Sequence, residues 1–166
     1  MSPLIQQLSK YAAYHRDTRN IRTHFVGIPM IVLAVFVLLS RPSFSVVGIM
    51  LTPAWVVYVL SSAYYLSLSR VYGVLMLLVH GLLLSLADNL AMLTTPLWLG
   101  SGIGLFVVGW IIQFLGHYYE GRKPAFVDDL MGLAIGPLFV VAELVFAVGL
   151  GKKTRLAIEA QAGPQR

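Results

Sequence analysis

The chain has 166 residues and a net charge of +5; 58% of its residues are hydrophobic, only 11% are charged, and its mean hydropathy is +0.79. Soluble domains carry about 25% charged residues, so this composition excludes an ordinary soluble domain and indicates an integral membrane protein. The chain contains no cysteine, which excludes disulfides and thiolate chemistry, and its basic residues form no stripe interleaved with aromatic residues, so we expect no nucleic-acid partner.

The first predicted element is an amphipathic helix over residues 3–16. Apolar side chains recur at helical spacing in this stretch: Leu4, Ile5, Leu8 and Tyr11. We expect this helix to lie on the membrane surface or on the helix bundle, with Tyr11 as an aromatic anchor at the interface. A polar joint, residues 17–22, follows, and Asn20 or Thr23 is expected to cap the next helix.

Five apolar segments follow, each close to the roughly 20 residues that cross a bilayer. They cover about 23–39, 44–66, 71–93, 96–115 and 130–150. The prediction is an all-α polytopic membrane bundle forming one domain over residues 1–151, with a polar C-terminal tail over 152–166. Pro53 and Gly136-Pro137 lie inside segments and predict kinks. The fifth segment either crosses fully or bends back at Gly136-Pro137.

The distribution of basic residues predicts the orientation. Lys and Arg are frequent before the first segment and just after the fourth, whereas residues 88–96 contain neither. Basic loops favour the cytoplasmic side, so the start of the first segment and the end of the fourth are expected at the cytoplasmic face. We expect an inner-membrane protein if the source is bacterial and an endoplasmic-reticulum protein if it is eukaryotic.

A polar motif, residues 113–125, ends the fourth segment. His117 and Glu120 are three residues apart, which on a helix is about 300° of rotation, so both side chains lie on one face. An imidazole beside a carboxylate is a common start for a divalent metal site. The alternative is a polar helix end at the membrane surface.

Two further histidines are predicted at the same membrane face. His15 and His24 are nine residues apart, about 180° around one continuous helix, so they share a metal only if the helix breaks between them. The polar joint at 17–22 predicts that break, and Asn20 would then orient a histidine. Arg22 and Arg122 are candidates for holding a substrate carboxylate through a bidentate fork.

Other polar residues lie within the apolar segments. His80 is interpreted as a packed or water-bonded histidine, and Asp88 as part of a helix end. Glu143 has several possible roles: a neutral carboxyl group, a paired carboxylate, a proton relay or a metal ligand. Gln113, one turn before His117, is predicted to support that ring by a hydrogen bond.

Two motifs carry a family resemblance. Residues 14–29, with His15, Asn20, His24, Gly27 and Pro29 at matching positions, and residues 113–125 resemble motifs of the fungal 2-hydroxy fatty acid dioxygenase family and its bacterial relatives. A weaker match is Gly136-Pro137-Leu138-Phe139 with Glu143. The similarity covers nearly the whole chain in segment order, and His80 is not part of the pattern.

The resemblance implies an iron(II)-dependent dioxygenase that takes a 2-hydroxy fatty acid and O2 and returns a fatty acid one carbon shorter. Histidine and carboxylate ligands with open positions also suit non-haem iron. The predicted ligands are therefore His15, His24, His117 and Glu120, with Fe(II) as cofactor. The alternative is a lipid- or ion-binding membrane protein, or a small transporter subunit, that uses the intramembrane residues His80, Asp88 and Glu143.

Overall fold

Helices dominate the structure, a computed structural model that describes residues 2–166. In chain order they are α1 (Pro3–Ala12), α2 (Thr18–Leu39), α3 (Pro53–Leu68), α4 (Arg70–Ala91), α5 (Thr95–Glu120), α6 (Met131–Ala147) and α7 (Lys152–Ala162). A 3-10 turn at Ala125–Val127 precedes α6. The predicted helical class is confirmed. A small antiparallel hairpin of β1 (Phe44–Val46) and β2 (Ile49–Leu51), which the prediction lacked, lies between α2 and α3.

Fewer helices than predicted have the length and composition to cross a membrane. α2, α4 and α5 do, and α6 with α7 passes the same test as a pair that is bent by 120°. Three helices, or four spans if the bent pair counts as one, therefore meet this test of length and composition, and the predicted five crossing segments are not confirmed. The 16 residues of α3 span about 24 Å, which is shorter than the roughly 30 Å hydrocarbon core.

The hairpin and α3 correct the prediction for the second apolar segment. Thr52 is extended, as the residue before a proline prefers to be, and Pro53 occupies the first turn of α3 rather than kinking its interior. Val47 and Gly48 at the hairpin tip have φ of 49° and 80°. A turn with positive φ at both central residues matches the twist of paired strands, so residues 44–51 form a hairpin instead of a helix.

The bend in the last apolar segment also differs from the prediction. Pro137 lies inside α6, which continues through it to Ala147. The 120° change of direction comes afterwards, where Gly149 and Gly151 have φ of 82° and 66°. Glycine adopts this backbone region without steric cost, so the chain turns there rather than at Gly136-Pro137.

The chain divides into two compact units. The first comprises residues up to Ile28 together with Ile111–Arg166. In it α1 packs against α6 and α7, with Leu8, Leu138 and Phe139 fully buried or nearly so. Residues 152–166, predicted as a polar tail, form α7 and a terminal stretch whose Arg166 backbone exchanges hydrogen bonds of 2.9 Å with Arg16 and Thr18.

The second unit is Pro29–Trp110. α3 and α4 form a tight antiparallel pair with only Ser69 between them. A Cβ at Gly73 would lie 2.5 Å from the Leu66 Cα, so glycine permits this close approach. The unit's apolar core includes Phe36 and Val37 of α2, Ala54 of α3, and Leu84 and Ala87 of α4.

Candidate metal centre

Three histidines meet inside the first unit. His15 lies in the turn between α1 and α2, His24 in α2 and His117 in the last turn of α5. One nitrogen from each ring lies within 4.8 Å of the other two, and all three side chains are buried. The ring centroids are 4.4 to 5.1 Å apart. The structure thus brings together three of the four predicted metal ligands.

The hydrogen bonds of two rings determine which nitrogens carry hydrogen. His15 Nδ1 lies 2.8 Å from the Tyr11 carbonyl oxygen, and His24 Nδ1 lies 2.9 Å from the Asn20 carbonyl oxygen. A carbonyl oxygen only accepts, so each Nδ1 donates and each neutral ring has its lone pair at Nε2. These two Nε2 atoms lie 3.0 Å apart. Two facing lone pairs repel unless a cation lies against both of them.

A proton is a poor candidate for that cation. Burial, together with the neighbouring His24 imidazole, lowers the pKa of His15 well below its ordinary value, so an imidazolium is disfavoured there. A divalent metal fits better, because imidazole binds metals in its neutral form. The Nε2 atoms of His15 and His24, 3.0 Å apart, are close enough for one metal ion to contact both of them.

His117 has a nitrogen without a hydrogen-bond partner. Its Nδ1 is buried and has no such partner among the described residues. Unsatisfied buried polar atoms are rare in folded proteins and often mark an absent ion or water. The convergence of one nitrogen from each of the three rings, with the facing lone pairs of His15 and His24, fits a transition metal of the kind imidazole prefers, which includes iron, zinc, copper and nickel.

Local sequence explains how the rings reach each other. α1 ends at Ala12, and α2 begins after Asp17, whose side chain accepts a hydrogen bond of 2.8 Å from the Arg19 backbone. The helix therefore breaks at residues 13–17, slightly earlier than predicted, and Asp17 caps α2 instead of Asn20 or Thr23. The break removes the 180° separation that one continuous helix would impose on His15 and His24.

Gly116 permits the approach of α5 to α2. A Cβ at this position would collide with Thr23 Oγ1 and would lie 2.5 Å from Asn20 Oδ1. Any larger residue would therefore push the end of α5 away from the start of α2. Glycine immediately before His117 thus lets that ring reach the two N-terminal histidines.

Glu120, predicted as the fourth ligand, does not join the cluster. Its side chain is 1% exposed, and its oxygens accept hydrogen bonds of 2.8 to 3.1 Å from the backbone nitrogens of Arg16 and Asp17 and from Asn20 Nδ2. Arg166 Nη2 lies 3.5 Å from the same carboxylate. These donors occupy the oxygens, so Glu120 fixes the turn that carries His15 rather than facing the three rings.

Asn20 connects this carboxylate to the cluster. Its side-chain amide donates to Glu120, while its backbone carbonyl accepts from His24 Nδ1. The predicted role of Asn20 in orienting a histidine is therefore present, though through its backbone. Gln113 is buried one turn before His117, but its Nε2 has no hydrogen-bond partner among the described residues.

Glu143, Arg122 and Arg22, the other predicted site residues, make their contacts with groups other than the three histidine rings. Glu143 Oε2 accepts from Gln165 Nε2 at 2.8 Å. Arg122 Nη1 donates to the Ala13 carbonyl at 2.6 Å, and its guanidinium carbon lies 5.7 Å from the Tyr14 ring centroid. Arg22 is exposed and lines a different cavity from Arg122, so the two arginines do not form one carboxylate clamp.

Tyr11 has a role that the sequence reading missed. Its ring stacks on His15 with centroids 4.1 Å apart and planes 8° from parallel, and its carbonyl holds His15 Nδ1. The sequence predicts this residue as an aromatic anchor at the membrane interface. A signal was present: Tyr11 precedes His15 by four residues, as Asn20 precedes His24, and this is the spacing at which a helical carbonyl meets a side chain one turn later.

Comparison with known proteins gives one family and one curated relative. The family model described as "2-hydroxy-palmitic acid dioxygenase Mpo1-like" matches residues 1–148. The 2-hydroxy-palmitic acid dioxygenase MPO1 of Saccharomyces cerevisiae is 32% identical over 162 residues, which cover 94% of this chain and 87% of the yeast protein. No solved structure matches. The matched residues include all three clustered histidines.

Proposed function

Because this chain belongs to the Mpo1-like family, we propose that it is an iron(II)-dependent membrane dioxygenase that shortens long-chain 2-hydroxy fatty acids by one carbon. The observation that carries this proposal is the pair of Nε2 lone pairs on His15 and His24, 3.0 Å apart and beside His117. The yeast relative is named as a dioxygenase, and this name suggests the reaction that a metal bound by the three histidines would catalyse.

The proposed reaction balances without a further cosubstrate. A 2-hydroxy acid and O2 give the acid one carbon shorter, CO2 and water; the bond between C1 and C2 breaks, C2 becomes the new carboxyl carbon, and four electrons pass from the substrate to O2. When bound, iron(II) supplies the redox centre for this exchange. His15, His24 and His117 would hold the metal through neutral imidazole nitrogens, a ligand type that suits iron in such chemistry.

The protein's own groups hold the ligands in place. Tyr11 and Asn20 keep Nδ1 of His15 and His24 protonated through their carbonyls, which directs each Nε2 to the centre. Glu120 anchors the turn between α1 and α2 by accepting from its backbone. The burial of all three rings excludes bulk water, which favours neutral imidazole and protects a ferrous centre from solvent.

Further roles extend from this centre. We assign Arg122 to attracting the substrate carboxylate, since Arg16 and Arg166 line the same cavity. Arg22, which lines another cavity, is assigned a smaller part in this attraction. Glu143 and Gln113, both buried, are assigned to positioning the groups around the cluster rather than to binding the metal. We propose that the enzyme lies in a membrane, with the histidine cluster at its cytoplasmic face and the bilayer as the source of the lipid substrate; the helices that are long and apolar enough to cross a membrane support this.

Product analysis under two atmospheres tests the function. Purified protein loaded anaerobically with iron(II) is given 2-hydroxypalmitate, and the products are measured by mass spectrometry under air and under nitrogen. We expect pentadecanoic acid and CO2 under air only, and we expect them without the addition of a 2-oxo acid as cosubstrate. Equal product under nitrogen, or none under air at any chain length from 8 to 24 carbons, would reject the proposal and favour a lipid- or ion-binding protein.

A further inference from the structure

A cavity lies beside the metal centre in the first unit. It has a volume of about 330 Å3 and is lined mainly by small and apolar side chains from the end of α1 and the start of α6. Its lining includes Ala13, Ala125, Met131, Gly132 and Ile135, with Gln7, Lys10 and Asp129 adding polar groups. Cavities of a few hundred Å3 with such a lining are typical of sites for small apolar ligands.

Tyr11 joins this cavity to the cluster. The side chain lines the cavity, and the same ring stacks on His15 at 4.1 Å. The three histidines are almost wholly buried, at 0%, 1% and 7% exposure. A lipid that reaches the cluster must therefore pass between packed side chains. Tyr11 lies between the cavity and the cluster, because it lines the first and stacks on a histidine of the second.

Resting on the proposed function, we propose that the cavity between α1 and α6 binds the alkyl chain of the 2-hydroxy acid, and that Tyr11 guides the acid's polar end toward His15. The small and apolar side chains of the lining would pack against the alkyl chain, so the cavity selects among acids by alkyl length. Each methylene that it buries favours binding, because its apolar surface is removed from water.

The backbone around the cavity is closely packed on one side. A Cβ at Gly132 would lie 2.9 Å from the Phe126 backbone nitrogen, and a Cβ at Gly136 would lie 3.0 Å from the Tyr11 hydroxyl oxygen. The two glycines of α6 therefore let this helix lie against the 3-10 turn and against Tyr11. Met131 is 39% exposed, so substitutions there change the cavity with little demand on the core.

Photocrosslinking tests the binding site without relying on turnover. The probe is a 16-carbon 2-hydroxy acid with a diazirine near its methyl end, irradiated under nitrogen with the full-length protein in lipid nanodiscs. We expect labelled peptides from residues 7–14 and 125–135, with labelling lost when excess 2-hydroxypalmitate is added. Labelling confined to other helices, or labelling that 2-hydroxypalmitate does not compete away, would overturn the proposal.

A pair of variants on α6 sharpens the test. Met131→Trp fills the cavity, so we expect at least a tenfold loss of competed labelling and, in active enzyme, a tenfold lower kcat/KM for 16 carbons but at most a twofold change for 8 carbons. Leu133→Trp adds the same ring at a position that is 50% exposed and outside the cavity lining, and it should leave labelling unchanged.

Equal effects of the two tryptophans on labelling would overturn the cavity proposal. Bound iron per chain, measured on both variants, shows that each retains the folded centre. If the probe labels the cavity as expected but no shorter acid forms in any assay, the binding site stands and the proposed reaction fails. The two conclusions are therefore tested separately.

Discussion

Each unit of the molecule contains buried histidine, in contrasting surroundings. In the first unit, His15 and His24 have both Nδ1 atoms held by carbonyls, and their Nε2 atoms converge beside His117. In the second unit, His80 Nδ1 lies 3.2 Å from Ser61 Oγ, and its ring meets Phe36 and Tyr65 edge-on at 5.6 and 5.5 Å. Burial is common to both environments; convergence of lone pairs is what distinguishes a candidate metal site.

The largest expected effect comes from removing one histidine of the cluster. His24→Ala or His117→Ala should lower bound iron and turnover at least about 100-fold, because loss of a ligand exceeds the 10- to 100-fold effects of its hydrogen-bond partners. His80→Ala should retain iron at the wild-type level. Elemental analysis of detergent-purified protein after anaerobic iron loading gives the comparison, and equal iron loss in His80→Ala would undermine it.

Glu120 gives the next largest effect, and it separates a positioning role from ligation. Glu120→Ala leaves the Arg16 and Asp17 backbone nitrogens and the Asn20 amide without their buried acceptor, so we expect a loss of about 2–4 kcal/mol in unfolding free energy and about 10- to 100-fold weaker iron binding. Glu120→Gln keeps an oxygen acceptor and should lose less on both measures.

The readouts for Glu120 are chemical unfolding of metal-free protein and iron titration with a competing chelator. A carboxylate that bound the metal directly would be replaced poorly by an amide. If Glu120→Gln loses as much iron as His117→Ala while its unfolding free energy is unchanged, Glu120 is a metal ligand, as the sequence predicts.

A pH dependence follows from His15. Its pKa is lowered in the folded protein, chiefly by burial, so below about pH 6.5 the unfolded chain binds a proton that the folded chain does not. The unfolding free energy of metal-free protein should therefore fall as pH decreases from 7 to 5, by at most about 1.4 kcal/mol per pH unit from this group. Urea unfolding at several pH values should show a shallower slope for His15→Gln; parallel slopes would contradict this.

The smallest effect is expected at Arg122, where the contacts are exposed. Arg122→Gln should raise the KM for 2-hydroxypalmitate about fivefold, or about 1 kcal/mol, and leave bound iron unchanged, because the guanidinium contacts Ala13 and Tyr14 rather than a clustered ring. Arg22→Gln provides the comparison at the other cavity and should have a smaller effect. A loss of iron in Arg122→Gln would show that this residue acts on the centre itself.

The histidines of the cluster were accessible to sequence reasoning because their convergence follows from a helix break and from basic loops at one face. Glu120 was not, since its spacing from His117 suits either a shared metal or two separate partners. The choice depends on which donors the turn at residues 13–17 presents, and a helical pattern does not describe a turn. In the same way, apolar content alone did not distinguish the exposed hairpin at 44–51 from helix.

Iron K-edge X-ray absorption measures directly whether three imidazoles hold iron(II). For wild-type protein loaded under nitrogen, we expect outer-shell scattering from three imidazole rings with iron–nitrogen distances of about 2.1 Å. His24→Ala should show any residual iron with fewer rings, while Glu120→Gln should keep three. Iron bound only by oxygen donors, with no imidazole scattering in the wild type, would contradict the claim.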